Sequence, residues 1–361
     1  MTASPAACAA APRRAKDGAV TTTPNIAAMM QDADWLCHRF DPQHDAFHFV
    51  PVPRATHDGL TFLTDEYLPK RLEPVIVARK DALAAAPAPA PVHFIFHSAF
   101  CCSTLLARAF DLPGRAMGLK EPVVLNDLVG WRHRGAAGRD IAEVMDHGLR
   151  LLARPYQPGE TTVIKPSNVV NGLIPLMMQL RPQAHALLLR APLGVYLRSI
   201  AKKEMWGRIW VRDLLVKQLR EGLIDLGFEQ HDYLALTDLQ VAAVGWLAQQ
   251  ALFARTVQQF GARVRTLDSE TLLDRPADAL EALGALFGVP LSSAERDAII
   301  AGPAFGTDSK TGKSFTKAER TAGYDAAARN HGDEIEKVSV WAEAVAANAG
   351  ISLEAANPLI G

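Results

Sequence analysis

The residues best suited to bind an anion lie in one loop between a predicted strand and a predicted helix. The apolar strand Val92–Phe96 runs into His97, and a helix is predicted from Ser103 to Phe110. Such a loop points several backbone N–H groups at one place, and the helix dipole adds partial positive charge. The sequence therefore predicts an anion site made by seven consecutive residues, Ser98, Ala99, Phe100, Cys101, Cys102, Ser103 and Thr104.

This loop differs from the common loop that binds nucleoside triphosphates. The pattern G-x-x-x-x-G-K-[ST] uses two glycines and a lysine to cradle phosphates, and its hydroxyl binds Mg²⁺. Residues 96–104 contain neither glycine nor lysine, and no apolar strand ends in an obvious Asp for the metal. A kinase that uses ATP and Mg²⁺ is therefore an alternative and not the first hypothesis.

The elements that must position this loop alternate along the chain. Apolar strands are predicted at Val92–Phe96, Thr161–Lys165, Ala186–Leu189 and Val264–Leu267. Helices are predicted at Ser103–Phe110, Ile141–Ala153, Ile174–Leu180, Val195–Lys203, Leu239–Phe260 and Ala277–Phe287. Strands this apolar indicate a parallel β-sheet flanked by helices, which is an α/β fold. In such sheets ligands bind beyond the carboxyl ends of the strands, where the loop lies.

The first 91 residues are predicted to be organised differently. Residues 1–22 form a disordered leader, and residues 23–81 form an accessory subregion with a helix over Ile26–Phe40 and strands at Phe47–Val50 and Leu60–Leu63. The Pro/Ala-rich run 82–91 is predicted to be an extended linker. The main domain then covers residues 92–361.

Composition excludes several classes of protein. The chain has 361 residues, 38 Lys plus Arg against 39 Asp plus Glu, and a formal net charge of -1, so no overall field attracts nucleic acid. No apolar run reaches the roughly 18 residues of a transmembrane helix. Four cysteines, two of them adjacent, do not suggest a disulfide framework, and a cytoplasmic location is expected. His and Cys spacings predict no metal site.

Two segments resemble the sulfotransferase superfamily. Ser103-Thr104-Leu105-Leu106 resembles the end of that family's 5′-phosphosulfate loop, and Ala186–Ser199 resembles its strand–Arg–x–Pro–helix–Ser segment. In the family the second segment holds the 3′-phosphate of the donor, 3′-phosphoadenosine 5′-phosphosulfate (PAPS). The resemblance assigns Arg190 and Ser199 to that phosphate. The family's serine usually stands one position earlier, where this chain has Arg198, so either the turn is longer or Arg198 takes part.

A third segment, Val264–Pro290, resembles the family's strand, Glu-x-Leu turn, Asp-x-Pro helix and closing Phe-Gly-x-Pro. The matching residues are Glu270, Leu272, Asp274, Pro276, Phe287, Gly288 and Pro290, which look architectural. The three segments run in family order from residue 92 to residue 290. The resemblance therefore implies a P-loop nucleoside-triphosphate-hydrolase-like, sulfotransferase-like fold.

The resemblance also indicates a base and a cation for sulfuryl transfer. The acceptor hydroxyl must lose a proton, and charge develops on the leaving nucleotide. Lys165 corresponds to the family's strand-end lysine, although the histidine that follows it in one branch is Ser167 here. Glu121, in Lys120-Glu121-Pro122, resembles a glutamate that other branches carry after the loop helix and is the candidate base. The alternative bases are His97, His133 and His147.

The loop departs from the family at two positions, because Phe100 replaces a basic residue and Cys102 replaces a glycine. The missing charge could come from Lys120, Lys165, Arg108 or a late basic loop, residues 306–320. That loop is predicted to close over the nucleotide with Lys310 and Lys313. A thiolate at the helix N-terminus would be stabilised, so Cys101 or Cys102 could be redox-sensitive, with packing as the alternative.

The sequence thus leads to one first hypothesis and two alternatives. The first is a PAPS-dependent sulfotransferase that modifies a hydroxyl or amine of a small-molecule, glycan or lipid acceptor and needs no metal. The alternatives are a P-loop small-molecule kinase and a catalytically degenerate nucleotide-binding or scaffold protein. Neither nucleic acid nor a transmembrane segment is expected, and the oligomeric state stays open.

Overall fold

The computed structural model describes residues 25–229, 231–307 and 317–361. The strands are β1 (Trp35–Asp41), β2 (Ala46–Pro51), β3 (Val75–Ala78), β4 (Val92–His97), β5 (Ala116–Lys120), β6 (Thr161–Lys165), β7 (Ala186–Arg190) and β8 (Val264–Asp268). The helices are α1 (Ile26–Gln31), α2 (Arg54–Gly59), α3 (Arg79–Ala85), α4 (Ser103–Ala109), α5 (Val124–His133), α6 (Gly138–Leu152), α7 (Ile174–Leu180), α8 (Leu193–Ala201), α9 (Glu204–Arg220), α10 (Asp232–Ala235), α11 (Asp238–Phe260), α12 (Ser269–Asp274), α13 (Pro276–Leu286), α14 (Ser293–Ala301), α15 (Pro303–Gly306) and α16 (Lys317–Asn348). Two 3₁₀ helices cover Asn168–Leu173 and Gly261–Arg263.

The main sheet has five parallel strands in the order β5-β6-β4-β7-β8. Successive side chains of β4 enter different cores: Phe94 and Phe96 pack in one hydrophobic cluster and Ile95 in the other. The first cluster contains α6 and α7 residues, and the second contains α8 and α13 residues. Both faces of the sheet are therefore covered, as the fully apolar strands require. The predicted α/β fold with a parallel sheet flanked by helices is confirmed.

Strand β4 lies at the centre of the sheet, and the chain forms first the strands on one side of it and then those on the other. From β4 the chain goes to the edge strand β5, returns through β6, and then crosses to β7 and β8. The direction of the connections changes beside the carboxyl end of β4. A crevice at such a position is the usual ligand site of an open α/β sheet.

The N-terminal strands form a separate antiparallel sheet in the order β1-β2-β3. The predicted helix over Ile26–Phe40 is wrong, because α1 ends at Gln31 and the following residues pair with β2. Pairing across strands outweighs the local helical pattern here. The predicted strand at Leu60–Leu63 is also wrong, since this segment is a loop whose Leu63 N–H donates to the Lys120 carbonyl at 2.7 Å.

The predicted linker is extended over only part of its length, because α3 continues to Ala85. Phe47 and Phe49 of the small sheet share a hydrophobic core with Phe94 and Phe96 of the main sheet. The predicted leader, residues 1–22, lies outside the described residues, and the proposed domain boundaries stay predictions. No helix in the described part of the chain is long and apolar enough to cross a membrane.

Two elements near the site have no counterpart in the sequence prediction. Strand β5 carries Gly118, where a Cβ would lie 2.1 Å from the Ala107 carbonyl oxygen, so α4 packs directly against this strand. Helix α5 follows β5 after Glu121-Pro122-Val123. These two elements fix the position of Glu121 beside the loop after β4.

Candidate functional site

The loop between β4 and α4 has an unusual backbone. Ala99, Phe100 and Cys102 have φ angles of 72°, 51° and 64°, which place three residues with side chains in the left-handed region. Such conformations cost free energy and persist where surrounding contacts impose them. Consecutive turns of this kind direct N–H groups into a concave surface that suits an anion.

Several donors of this loop lack acceptors in the described part of the chain. They are the N–H groups of Cys101, Thr104 and Leu105 and the hydroxyls of Ser103 and Thr104. Ser103 and Thr104 are both largely buried. A bound anion would supply the acceptors that these donors require.

Buried amides hold the loop in place, and sequence reasoning missed them. Asn171 Nδ2 donates to the His97 carbonyl and to Gln249 Oε1, each at 3.0 Å, and Gln249 Nε2 lies 3.5 Å from the Ser98 carbonyl. The Ser98 hydroxyl accepts from Ala191 N–H at 3.1 Å. Ser98 therefore ties the loop to the end of β7, and its hydroxyl is already used.

His97 braces the loop through both ring nitrogens. Nδ1 accepts from Ala99 N–H at 3.0 Å, and Nε2 lies 3.0 Å from the Pro166 carbonyl, which it satisfies as a donor. These contacts select the neutral ring protonated on Nε2. Nε2 is also 4.0 Å from Glu121 Oε1. With both nitrogens engaged, His97 is suited to positioning the loop.

Glu121 and Lys165 meet at the carboxyl ends of β5 and β6. Lys165 Nζ donates to Glu121 Oε1, and the Glu121 N–H donates to the Lys165 carbonyl at 2.8 Å. The Lys165 side chain is 1% exposed and the Glu121 side chain 16% exposed, so the carboxylate is the member of the pair that an acceptor can reach. Lys165 Nζ also lies 4.8 Å from the centre of the Phe62 ring. The three predicted catalytic residues thus come together beside the loop.

Lys120 does not supply charge to the loop, contrary to one of the expectations. Its Nζ donates to the carbonyls of His57 and Asp58 at 2.9 and 3.3 Å. Burial lowers the pKa of Lys120 to about 8, although the nearby Asp111 carboxylate raises it. This lysine therefore belongs to a buried cluster, while its neighbour Glu121 belongs to the candidate site.

The same buried cluster gathers metal-ligand types that are far apart in sequence. His57, Asp58 and Asp111 bring one ligand atom each within 4.8 Å of one another. Arg54 Nη2 and Lys120 Nζ already lie 3.3 and 3.9 Å from Asp111 carboxylate oxygens. These two cations balance the acidic charge and compete with a metal for the same oxygens.

Arg190 is held by three partners within the protein. Its Nε donates to Asp268 Oδ1 at 2.9 Å, and Nη1 donates to Gln250 Oε1 at 2.8 Å and to the Leu353 carbonyl at 2.7 Å. Nη2 lies 3.4 Å from Asp268 Oδ2. A cavity of about 320 Å³ lies beside it, with the acidic Glu343 in its wall. A phosphate would have to displace Asp268 to gain the bidentate contact expected from the sequence.

Ser199 is also satisfied internally. Its hydroxyl donates to the Val195 carbonyl at 2.9 Å and lies 3.2 Å from the Tyr324 hydroxyl. Tyr324 belongs to α16, which packs along α8. Arg198, the alternative at this position, donates from Nε to the Gly194 carbonyl at 3.1 Å.

The remaining loop residues have distinct surroundings. Phe100 packs edge-on against Trp210, with ring centres 5.3 Å apart. Burial raises the pKa of the Cys101 thiol to about 11, which contradicts the idea of a thiolate there and supports packing. Cys102 is half-buried and close enough to Arg320 to affect its pKa electrostatically.

Arg320 is the cation near the loop that sequence reasoning did not single out. Its Nη1 donates to Glu270 Oε2 at 2.9 Å. Burial lowers the pKa of Arg320, but the Glu270 carboxylate outweighs burial and the net pKa is raised. Arg320 is the last residue of the predicted basic loop, 306–320. Lys310 and Lys313 of that loop lie outside the described residues.

The other candidate bases have partners elsewhere. His133 Nε2 contacts Glu221, and His147 Nδ1 lies 3.0 Å from Arg79 Nη1. Burial lowers the pKa of His147, and the Arg79 charge lowers it further. Of the candidate bases, Glu121 is the one whose side chain adjoins the loop without bracing it.

Two of the solved structures that resemble this chain are sulfotransferases. No family model and no curated protein matches the chain. A sulfotransferase domain from the curacin biosynthetic pathway is 13% identical over 63% of this chain and 82% of its own, with a TM-score of 0.38. The sulfotransferase STF9 from Mycobacterium avium is 12% identical over 69% of this chain and 78% of its own, with a TM-score of 0.40. At these values the likeness establishes neither family membership nor activity.

Proposed function

We propose that this protein is a sulfotransferase that moves a sulfuryl group from PAPS to a hydroxyl or amine of a small-molecule, glycan or lipid acceptor. The observation that carries the proposal is the pairing of a buried Lys165 with a reachable Glu121 beside a loop in which the N–H groups of Cys101, Thr104 and Leu105 have no acceptor among the described residues. A cation, a base and an anion cradle are the three groups that in-line sulfuryl transfer needs.

Glu121 is the proposed base. Lys165 donates to its Oε1, while Oε2 accepts no hydrogen bond from the described residues. Oε2 takes the proton from the acceptor oxygen as that oxygen forms a bond to sulfur. The bond between sulfur and the 5′-phosphate oxygen breaks at the same time, and 3′-phosphoadenosine 5′-phosphate (PAP) leaves with the bonding electrons.

Lys165 and the loop are proposed to stabilise the leaving group. The ammonium of Lys165 faces the charge that grows on the bridging oxygen, and the donors of Cys101, Thr104 and Leu105 hold the 5′-phosphate. His97 acts as a positioning residue, because its ring accepts a hydrogen bond from the Ala99 N–H and so fixes the curvature of the loop.

The 3′-phosphate is the part of the donor for which the described residues offer the fewest binding groups. Arg190 can hold it only by exchanging the Asp268 carboxylate for the phosphate. This observation favours a second candidate function, a protein with this fold that binds no 3′-phosphorylated nucleotide and acts as a scaffold. The kinase alternative requires ATP with Mg²⁺ and is tested by the same experiment.

The test is thermal unfolding with PAP, PAPS, adenosine 5′-phosphosulfate and ATP·Mg²⁺ side by side, because a ligand that binds the native state raises the midpoint. Sulfotransferase function predicts a rise with PAP and PAPS. A smaller rise with adenosine 5′-phosphosulfate would show that the 3′-phosphate contributes to binding. No rise with any ligand supports the scaffold function, and a rise with ATP·Mg²⁺ alone supports the kinase.

A further inference from the structure

Helix α9 exposes an apolar surface that no described part of the chain covers. Five large apolar side chains on this helix are exposed by more than a third: Met205, Trp206, Ile209, Val216 and Leu219. Several exposed apolar side chains on one helix of a globular protein mark an interaction site more often than isolated exposed residues do.

The exposed residues follow helical spacing and lie opposite the core-facing side of α9. Intervals of three, four and seven residues separate Met205, Ile209, Val216 and Leu219 and keep them on one side of the helix. The side that packs into the protein consists of Gly207, Val211, Leu214, Leu215 and Gln218. The outward apolar stripe is therefore additional to the stripe that the fold itself needs.

Basic side chains lie beside this stripe and, at Arg212, within it between Ile209 and Val216. Five exposed basic residues lie on α9 or directly before it: Lys202, Lys203, Arg212, Lys217 and Arg220. Two exposed acidic residues, Glu204 and Asp213, accompany them, and Arg212 pairs with Asp238 at 2.6 Å. The local excess of positive charge contrasts with a formal net charge of -1 for the whole chain.

We propose that this face of α9 docks on an anionic lipid surface through its exposed apolar residues and the basic residues among them. A helix that presents Trp and aliphatic side chains among Lys and Arg has the composition of an interfacial membrane-binding helix. Attraction to anionic headgroups strengthens binding by about fivefold for each basic residue near such a surface. A second copy of the chain fits less well, because a two-fold contact sets this basic face against itself.

A row of aromatic rings joins the docking face to the candidate site. Trp206 stacks on Trp210 with ring centres 6.3 Å apart and planes 13° apart, and Trp210 meets Phe100 of the loop edge-on. An acceptor drawn from the lipid surface would reach the loop along these rings. That acceptor would be an amphipathic molecule with a hydroxyl or amine at its polar end, a class that rests on the proposed function.

The experiment is co-sedimentation of the full chain with vesicles of phosphatidylcholine alone and of phosphatidylcholine mixed with phosphatidylglycerol. The proposal predicts binding to the mixed vesicles, loss of binding at high salt, and at least about tenfold weaker binding for the double variant Met205→Ser/Ile209→Ser. Lys202→Gln/Lys203→Gln should weaken binding to the mixed vesicles by about fivefold to thirtyfold. Ile76→Ser and Val340→Ser, which remove exposed apolar side chains elsewhere, are the matched controls and should bind like wild type.

Two results would overturn the proposal. One is equal sedimentation of wild type and Met205→Ser/Ile209→Ser with the mixed vesicles. The other is a dimer in analytical ultracentrifugation that this double variant abolishes, which would assign the face to a second copy. The PAP-induced shift in unfolding temperature is measured on the same variants, and it is expected to survive. If PAP produced no shift in wild type, that result would instead contradict the proposed function.

Discussion

The two halves of the predicted donor site differ in how their polar groups are satisfied. Beside β4, β5 and β6, the N–H groups of Cys101, Thr104 and Leu105 and one oxygen of Glu121 have no partner among the described residues. Beside β7 and α8, the side chains of Arg190 and Ser199 already have partners within the protein, which are Asp268, Gln250, Leu353, Val195 and Tyr324. The first region is therefore ready to receive a ligand, and the second must exchange a partner to do so.

The type of residue at a strand end therefore does not by itself identify a binding group. A buried arginine needs a carboxylate or equivalent acceptor, because an unpaired buried charge is strongly unfavourable. Whether that acceptor is a ligand or the protein depends on what the neighbouring strand carries. Here β8 ends in Asp268, which supplies the carboxylate from within the chain.

The largest expected effect is that of Glu121→Gln on transfer. Removing a general base costs about 10²- to 10⁴-fold in rate, while PAP binding should persist because the Lys165 charge remains. Release of PAP from PAPS over a panel of phenols, alcohols and amines measures the rate. Glu336→Gln on α16, an exposed glutamate, is the control. Unchanged PAP release in Glu121→Gln would remove Glu121 from the mechanism.

The next largest effect is that of Arg190→Gln on stability. Breaking the pair with Asp268 should lower the free energy of unfolding by about 2–4 kcal/mol, since Asp268 loses its partner and the Leu353 carbonyl loses a donor. Urea unfolding measures this change.

The companion variant Asp268→Asn distinguishes binding of the 3′-phosphate by Arg190 from a purely structural role of this residue. If Arg190 accepts the 3′-phosphate, removing the competing carboxylate should strengthen PAP binding by about threefold to tenfold. Weaker or equal PAP binding in Asp268→Asn would make Arg190 purely structural.

Lys120 is expected to make the free energy of unfolding depend on pH, and this effect is of intermediate size. Its pKa is lowered to about 8 by burial, so the unfolded chain binds more protons than the native chain above that value. The contribution of Lys120 to the free energy of unfolding therefore rises with pH between about 8 and 10, by about 2 kcal/mol. The free energy of unfolding of wild type, measured in urea relative to that of Lys120→Met, should increase across this pH window. A constant difference would mean that the ammonium is not desolvated.

The smallest effect is expected for Ser199→Ala. The hydroxyl makes two neutral hydrogen bonds to Val195 and Tyr324, so its loss should cost about 1 kcal/mol or less. PAP affinity, measured by calorimetry, should change by less than about twofold if the hydroxyl only joins α8 to α16. A loss of affinity of tenfold would restore Ser199 to the donor site.

Much of the fold could be predicted from sequence, because short apolar strands such as Ala186–Leu189 have few alternatives once helices separate them. Strand β5 was missed because Gly118 and Lys120 interrupt its apolar pattern, although tight packing on α4 requires the glycine. The position of Glu121 followed from its place after that strand. The partner of Arg190 could not be foreseen, because Asp268 lies 78 residues away and only strand pairing brings them together.

The most direct test of the central claim, that the donor binds beside Lys165 and Glu121, is calorimetric titration of wild type and Lys165→Met with PAP. A charge-assisted contact contributes about 1.5–3 kcal/mol, so the dissociation constant should rise by at least about tenfold in the variant. Lys337→Met, which removes an exposed lysine paired with Asp333, should bind like wild type. Equal affinity of Lys165→Met and wild type, or no binding by either, would contradict the account.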